Sequence, residues 1–185
     1  MIITKARIPD VLIIESKLFE DERGFVTELY QSARYASCGV ARPFVQDNLS
    51  RSVKHTLRGL HFQNPMAQGK LVTVLRGAIL DVAVDVRRGS PTFGRHVMIE
   101  LNEDNRRQVW IPPGFAHGFI TQSDIAECFY KCDEFYSPAH EHVLRWNDPA
   151  LAIDWGCNRP LLSRRDREGK DLAQLQGVLP SLKAA

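Results

Sequence analysis

Two histidines stand among residues that could support proton-transfer chemistry. His61 lies in Leu57-Arg58-Gly59-Leu60-His61-Phe62-Gln63, with Arg58 three residues before it and Lys70 nine after. His117 follows the turn Pro112-Pro113-Gly114 in Phe115-Ala116-His117-Gly118-Phe119. An imidazole titrates at about 6.5, so it is a good neutral base near pH 7, and a carboxylate on its other nitrogen would fix the tautomer and stabilise imidazolium. The local sequence also gives each candidate a blander use. A histidine in Leu-His-Phe suits a hydrogen-bonded interior position, as does His117. Lys70 could be an exposed strand-edge charge. Asp166 is the third residue of a capping box after Ser163. Tyr130 and Tyr136 could be core aromatics with a polar handle. Arg23-Gly24 could be only a strand-to-turn feature.

These side chains must be carried by strands, because the apolar pattern has period two. From Leu71 to Val86, Leu80, Val82, Val84 and Val86 share one face, and Asp81, Ala83 and Asp85 take the other. The segment reads as a strand pair broken at Gly77. Val97, Ile99 and Leu101 alternate, Asn102–Asn105 turns the chain, and Val109 alternates with Ile111 before the prolines. Farther on, Ala126, Cys128, Tyr130 and Cys132 fall on one side of a strand. Many short strands with little helical periodicity predict an all-β jelly roll or barrel. A short helix is expected near Ser32–Ala36, and another in the tail where Ser163-Arg164-Arg165-Asp166 precedes Leu172 and Leu175. Residues 1 to about 50 read as an N-terminal arm of strands, and the tail after Asp148 as a polar segment packed across the barrel.

Composition narrows the function. The chain of 185 residues suits a single domain spanning 1–185, and a chain of this size buries roughly 70% of its unfolded surface. Lys plus Arg number 24 against 22 Asp plus Glu, a net charge of +2 that is too small a field for a nucleic-acid partner. The longest apolar run near the N-terminus, Val11–Ile14, suits neither a signal peptide nor a membrane span. Cys38, Cys128, Cys132 and Cys157 include no Cys-x-x-Cys and read as reduced, packed thiols of a cytoplasmic protein.

The spacing Pro112-x-Gly114-x-x-His117 resembles the second motif of the cupin superfamily, which implies a double-stranded β-helix jelly roll. Metal-binding cupins carry His-x-His in their first motif, whereas His61 is followed by Phe62 and Gln63. The expected site is therefore free of metal. Several blocks in order resemble the dTDP-4-dehydrorhamnose 3,5-epimerase family over about Phe19 to Asp166. They are Gln46-Asp47-Asn48, Leu57–His61, Gln68-Gly69-Lys70, Ile111–Phe119, Tyr130-Lys131 and Arg145-Trp146-Asn147-Asp148-Pro149. The resemblance implies a cofactor-independent homodimer that epimerises carbons 3 and 5 of a dTDP-linked 4-keto-6-deoxyhexose.

By this similarity His61 is the base, Asp166 its carboxylate, Tyr130 the acid on the other side, and Lys70 the cation at the carbonyl oxygen. Arg23, Arg58 and Arg165 are assigned to substrate contacts, where a planar guanidinium suits a diphosphate. Glu28, Gln46, Asn48, His117 and Glu141 match further binding positions, and Tyr136 matches the aromatic that stacks on thymine. The sequence departs from relatives at His55, where glycine is frequent, at Leu49, where histidine is frequent, and at Arg164-Arg165, where Glu-Lys is common. Three other readings stand beside the main one: a 3-epimerase of similar site composition, a catalytically silent nucleotide-sugar binding cupin, and a metal-dependent cupin.

Overall fold

The computed structural model describes residues 1–182. Its strands are β1 (Ile2–Lys5), β2 (Leu12–Glu15), β3 (Leu18–Asp21), β4 (Gly24–Thr27), β5 (Gln46–Val53), β6 (Leu57–Gln63), β7 (Lys70–Arg76), β8 (Ala78–Asp85), β9 (His96–Asn102), β10 (Gln108–Ile111), β11 (Phe115–Thr121), β12 (Ile125–Cys132) and β13 (Glu141–Val143). Two short α-helices join them, α1 (Ser32–Ala36) and α2 (Arg164–Arg167), with a 3₁₀ turn at Leu172–Leu175.

The strands form a jelly roll of two antiparallel sheets. One has the order β1-β2-β10-β7-β12-β5 and the other β13-β6-β11-β8-β9, while β3 and β4 form a separate hairpin. Inward side chains from both sheets meet in one core: Val72 and Val74 from β7, Val109 and Ile111 from β10, Ile79 and Ala83 from β8, Val97, Ile99 and Leu101 from β9. The expected strand alternation, the turn after Asn102 and the helix at Ser32–Ala36 are all present. Asn102 closes that turn by accepting from the backbone N–H groups of Asp104 and Asn105 at 3.0 and 2.7 Å.

Gly77 does separate two strands, but they do not pair with each other. β7 belongs to the six-stranded sheet and β8 to the five-stranded one. Gly77, at φ +74°, makes the crossing, and a Cβ there would lie 2.1 Å from the carbonyl oxygen of Ile125.

The apolar face of β8 looks away from the barrel interior. Leu80, Val82 and Val84 pack in a second core with Leu57, Leu60, Ala116 and Ile120, and the tail covers it with Leu151, Trp155, Leu172, Leu175 and Leu179. The tail is thus held by apolar side chains, although two of its carboxylates, Asp148 and Asp166, are buried as well. The tail helix is also shorter than the sequence predicts. Ser163 Oγ accepts from the Asp166 N–H at 3.0 Å and caps a single turn, which ends before Gly169. Leu172 and Leu175 sit on the separate 3₁₀ turn, started by the Asp171 N–H donating to Gln174 Oε1 at 3.0 Å.

Outside the six-stranded sheet, Tyr35 of α1 packs with Val40, Leu12, Ile14, Leu71 and Trp110 in a third core. Its hydroxyl donates to Gln108 Oε1 at 2.5 Å. The third core covers part of that sheet's outer face, and β6, β7, β11 and β12 gather polar inward residues between the two sheets at one end.

Candidate active site

That end holds a cleft of about 440 Å³, within the usual range for small-ligand sites. The five-stranded sheet supplies Arg58 and His61 from β6, His117 and Phe119 from β11, and Glu141 from β13. The six-stranded sheet supplies Gln46 and Asn48 from β5, Lys70 from β7, and Tyr130 and Cys132 from β12. Tyr136, Ser163, Arg165 and Asp166 close its rim.

Backbone packing sets how deep the histidines lie. Gly59 of β6 adopts φ +114°, and a Cβ on it would fall 2.6 Å from the His117 carbonyl oxygen and 2.7 Å from Gly118 Cα. Glycine at this position therefore lets β6 and β11 approach closely, in the region where their register shifts between His117 and Phe119. His61 and His117 remain directly paired across the two strands.

His61 Nε2 lies 2.5 Å from Asp166 Oδ1, which leaves Nδ1 as the ring nitrogen directed elsewhere. Asp166 is anchored independently, because Ser163 Oγ donates to its Oδ2 at 2.7 Å. Burial alone would raise the Asp166 carboxyl, but hydrogen bonds from His61 and Ser163, the His61 charge and the Gly59 N–H outweigh it. The group is held below the usual carboxylate range. The capping role and the histidine-pairing role thus fall on one residue.

Tyr130 comes from the opposite sheet and lies on the face of β12 that also buries Ala126, Cys128 and Cys132. Burial pushes its hydroxyl up to about 12, with Cys132, Cys128 and Glu141 adding to the effect and Arg58 opposing it. The phenol is therefore protonated throughout the physiological range. The Lys70 ammonium makes no ion pair or hydrogen bond with any other described side chain or backbone group. Burial lowers its ammonium below the ordinary lysine value, while Cys132, Glu141, Asp133 and Asp81 act in the other direction. It is a deep amine whose N–H donors are free for a ligand.

At the rim, Arg165 pairs with Glu141 Oε2 and donates to the Tyr136 hydroxyl at 3.0 Å. The Tyr136 hydroxyl in turn donates to Glu141 at 2.8 Å. Arg58 donates through Nε to Ser52 Oγ at 3.0 Å. Gln46 bridges Asn48 and the Tyr136 N–H, each at 2.9 Å. His117 Nε2 lies 2.7 Å from Asp81 Oδ2, both buried.

Of the residues singled out in the sequence, the structure brings His61, Lys70, Tyr130, Asp166, Gln46, Asn48, Arg58, His117, Tyr136, Glu141 and Arg165 into this one cleft. It does not bring in Arg23 or Glu28. Arg23 sits at the tip of the β3–β4 hairpin with 85% of its side chain exposed, bound to Asp21, and Glu28 pairs with Arg34 of α1 at 3.1 Å. Residues not foreseen are Gln68, Phe119, Cys132 and Ser163 in the lining, and Asp81 behind His117. Period two gave a signal for two of them, since Phe119 shares a face with His117 and Cys132 with Tyr130. Among the described residues no group of three or more His, Cys, Asp or Glu side chains is placed to hold a metal ion.

The family model described as dTDP-4-dehydrorhamnose 3,5-epimerase matches residues 5–174. The chain is 53% identical over 172 residues to the dTDP-4-dehydrorhamnose 3,5-epimerase of Pseudomonas aeruginosa, covering 92% of this chain and 95% of that protein. It is 52% identical over 169 residues to the protein of the same name from Salmonella typhimurium, covering 90% and 92%. Among solved structures it is similar to a dTDP-6-deoxy-D-glucose-3,5-epimerase from Legionella pneumophila in complex with dTDP-4-keto-L-rhamnose. The TM-score is 0.96 at 48% identity, over 98% of each chain.

Proposed function

The chain belongs to the dTDP-4-dehydrorhamnose 3,5-epimerase family, and from that premise we propose how its cleft carries out the reaction. The enzyme is an isomerase that inverts carbons 3 and 5 of dTDP-4-dehydro-6-deoxy-D-glucose to give dTDP-4-dehydro-L-rhamnose. The 4-keto group acidifies the hydrogens on both neighbouring carbons. In the gluco chair those two hydrogens are axial on the same face of the ring. One base on that face and one acid on the other therefore suffice for both inversions. Substrate and product are isomers, so no electron acceptor is consumed and the reading needs no cofactor.

The observation that carries the assignment is that His61 and Tyr130 enter one cleft from opposing sheets. His61 removes each proton through Nδ1, because Nε2 is engaged by Asp166, whose carboxylate stabilises the imidazolium that forms. Lys70 faces the carbonyl oxygen, where a cation stabilises the enolate more than the neutral ketone. Tyr130 returns a proton from the opposite face. Its high proton affinity is no obstacle, since an enolate carbon holds the proton more tightly still. Arg58 and Arg165 take the diphosphate, Tyr136 stacks on the thymine, and Gln46, Asn48, His117 and Glu141 complete the binding surface.

Arg23 and Glu28 remain outside the cleft of their own chain, and a homodimer gives them a use. Leu49, Val53 and Leu75 are exposed on the outer face of the six-stranded sheet, and Phe19, Phe25 and Val26 on the β3–β4 hairpin. Apolar area of this kind marks an interface. A second copy seated there would bring the hairpin's Arg23 to its partner's cleft. The whole chain, residues 1–185, acts as one unit in this reading, and we place it in the cytoplasm. No described helix is long and apolar enough to cross a membrane.

The reading is tested by incubating the protein with dTDP-4-dehydro-6-deoxy-D-glucose in deuterated water and following both carbons by NMR. Deuterium at carbons 3 and 5 with L-configured product is expected. Label at carbon 3 alone would replace it with a 3-epimerase, and intact binding without exchange would replace it with a silent binding module.

A further inference from the structure

His61 faces a second carboxylate. Glu141 Oε1 lies 3.8 Å from His61 Nδ1, the nitrogen assigned to proton abstraction, and the Glu141 side chain is only 9% exposed. At that distance a buried carboxylate strongly favours a protonated imidazole. Glu141 is neutralised where it stands, however. Its other oxygen carries the Arg165 guanidinium and accepts from the Tyr136 hydroxyl, and Arg165 also donates to that hydroxyl. The guanidinium assigned to the diphosphate is thus the one that offsets the charge beside the base.

We propose that Arg165 and Glu141 form a substrate-operated switch, in which a diphosphate draws Arg165 off Glu141 and leaves the carboxylate facing the base nitrogen of His61. The inference rests on the epimerase reading and deepens it, because it makes Glu141 a positioning residue that couples nucleotide recognition to proton abstraction. Two features of the structure favour it. Arg165 is half-exposed at the rim, with 45% of its side chain accessible, and can rotate outward at small cost. Glu141 is fixed on β13, where it pairs with Gln63 two residues from His61, so it stays when Arg165 leaves. A diphosphate is also the stronger partner for the guanidinium, offering bidentate oxygens and more charge than one carboxylate.

The test is a titration of the His61 imidazole by NMR, with and without dTDP, in the wild type, Glu141→Gln and Arg165→Ala. The other titratable or charged groups lining the cleft are Arg58, Lys70, His117, Tyr130, Cys132 and Asp166. None is joined to Arg165 by an ion pair or hydrogen bond among the described residues, and all are common to the three proteins. In the wild type dTDP should raise the His61 midpoint by about one pH unit or more, the scale of a carboxylate within 4–6 Å. In Glu141→Gln, which keeps an acceptor for Tyr136, at least half of that rise should disappear. Arg165→Ala should start at a raised midpoint without nucleotide. An equal rise in wild type and Glu141→Gln, or an unraised midpoint in Arg165→Ala, would overturn the switch. Kinetics provide a second readout. With a substrate bearing one phosphate in place of two, kcat should fall at least about tenfold in the wild type, and much less in Arg165→Ala. Equal losses in both would also overturn it. If wild-type protein neither binds dTDP nor exchanges substrate hydrogens, the epimerase reading itself fails, and that result is distinct from a switch that fails while both persist.

Discussion

The cleft contains two histidine–carboxylate pairs of nearly equal length, and they are built for different work. His61 meets Asp166 at 2.5 Å and His117 meets Asp81 at 2.7 Å. The His61 side chain is 30% exposed, whereas those of His117 and Asp81 are 9% and 1% exposed. Asp166 is supplied with hydrogen bonds from Ser163 and from His61. The Oδ1 of Asp81 is buried with no partner among the described residues. In the proposed mechanism the same two side-chain types thus serve as a base where one ring nitrogen opens to the cleft and the carboxylate is saturated, and as a fixed binding surface where both are buried. Environment assigns the role more than residue type does.

Substituting the histidines tests that contrast most severely. His61→Asn should lower turnover by at least about 10³-fold while leaving dTDP affinity within a few-fold, since the base acts in proton transfer. His117→Asn should mainly raise KM, with kcat reduced by no more than roughly tenfold. Steady-state kinetics on both would show whether the two pairs share the chemistry, and equal losses of kcat would erase the distinction.

Tyr130→Phe should reduce product formation by about 10²–10⁴-fold, the usual contribution of a placed acid. Because burial holds this phenol up at about 12, it stays protonated below that value. The wild-type pH–rate profile should therefore show no loss assignable to a tyrosine below about pH 10. An ultraviolet-difference titration would locate the phenol directly, and a midpoint at the ordinary value would remove this element of the contrast.

The carboxylates separate the pairs in stability. The Asp166 carboxyl is held below its ordinary value of 3.8. The stability it contributes is present above that value and is lost as pH falls through the depressed one. Asp166→Asn should therefore unfold with less acid sensitivity than wild type below about pH 4, as read by urea melts across pH. Asp81→Ala should instead cost about 1–3 kcal/mol at neutral pH by leaving a buried His117 nitrogen unpaired. The smallest effect on turnover belongs to the outer core. Leu175→Ala should cost about 2–5 kcal/mol of stability and leave kcat unchanged, and a fall in kcat would tie the tail to the chemistry.

The sequence made the strands legible because apolar alternation depends only on the pleat. It did not show which sheet each strand joins. Gly77 announces a turn, but only long-range pairing sends β7 and β8 to different sheets. The alternation of Leu80, Val82 and Val84 separates two faces without saying what covers either, and it is the tail that covers the apolar one, which puts Asp81 on the interior side behind His117. Asp81 was hidden for that reason. Asp166 was legible as a helix-start residue from Ser163 alone, and its approach to His61 spans 105 positions that no local pattern connects. Arg23 and Glu28 were legible only as family positions, and one chain by itself does not carry them to the cleft.

The central claim is that base and acid stand on opposite faces of the sugar, and Tyr130→Phe in deuterated water tests it most directly. With the acid removed, His61 should still exchange the hydrogens at carbons 3 and 5 and return deuterium from its own face. The variant should then accumulate labelled substrate of unchanged configuration faster than it forms epimer. Formation of epimer at the wild-type rate, or exchange and inversion falling together, would contradict the two-face arrangement.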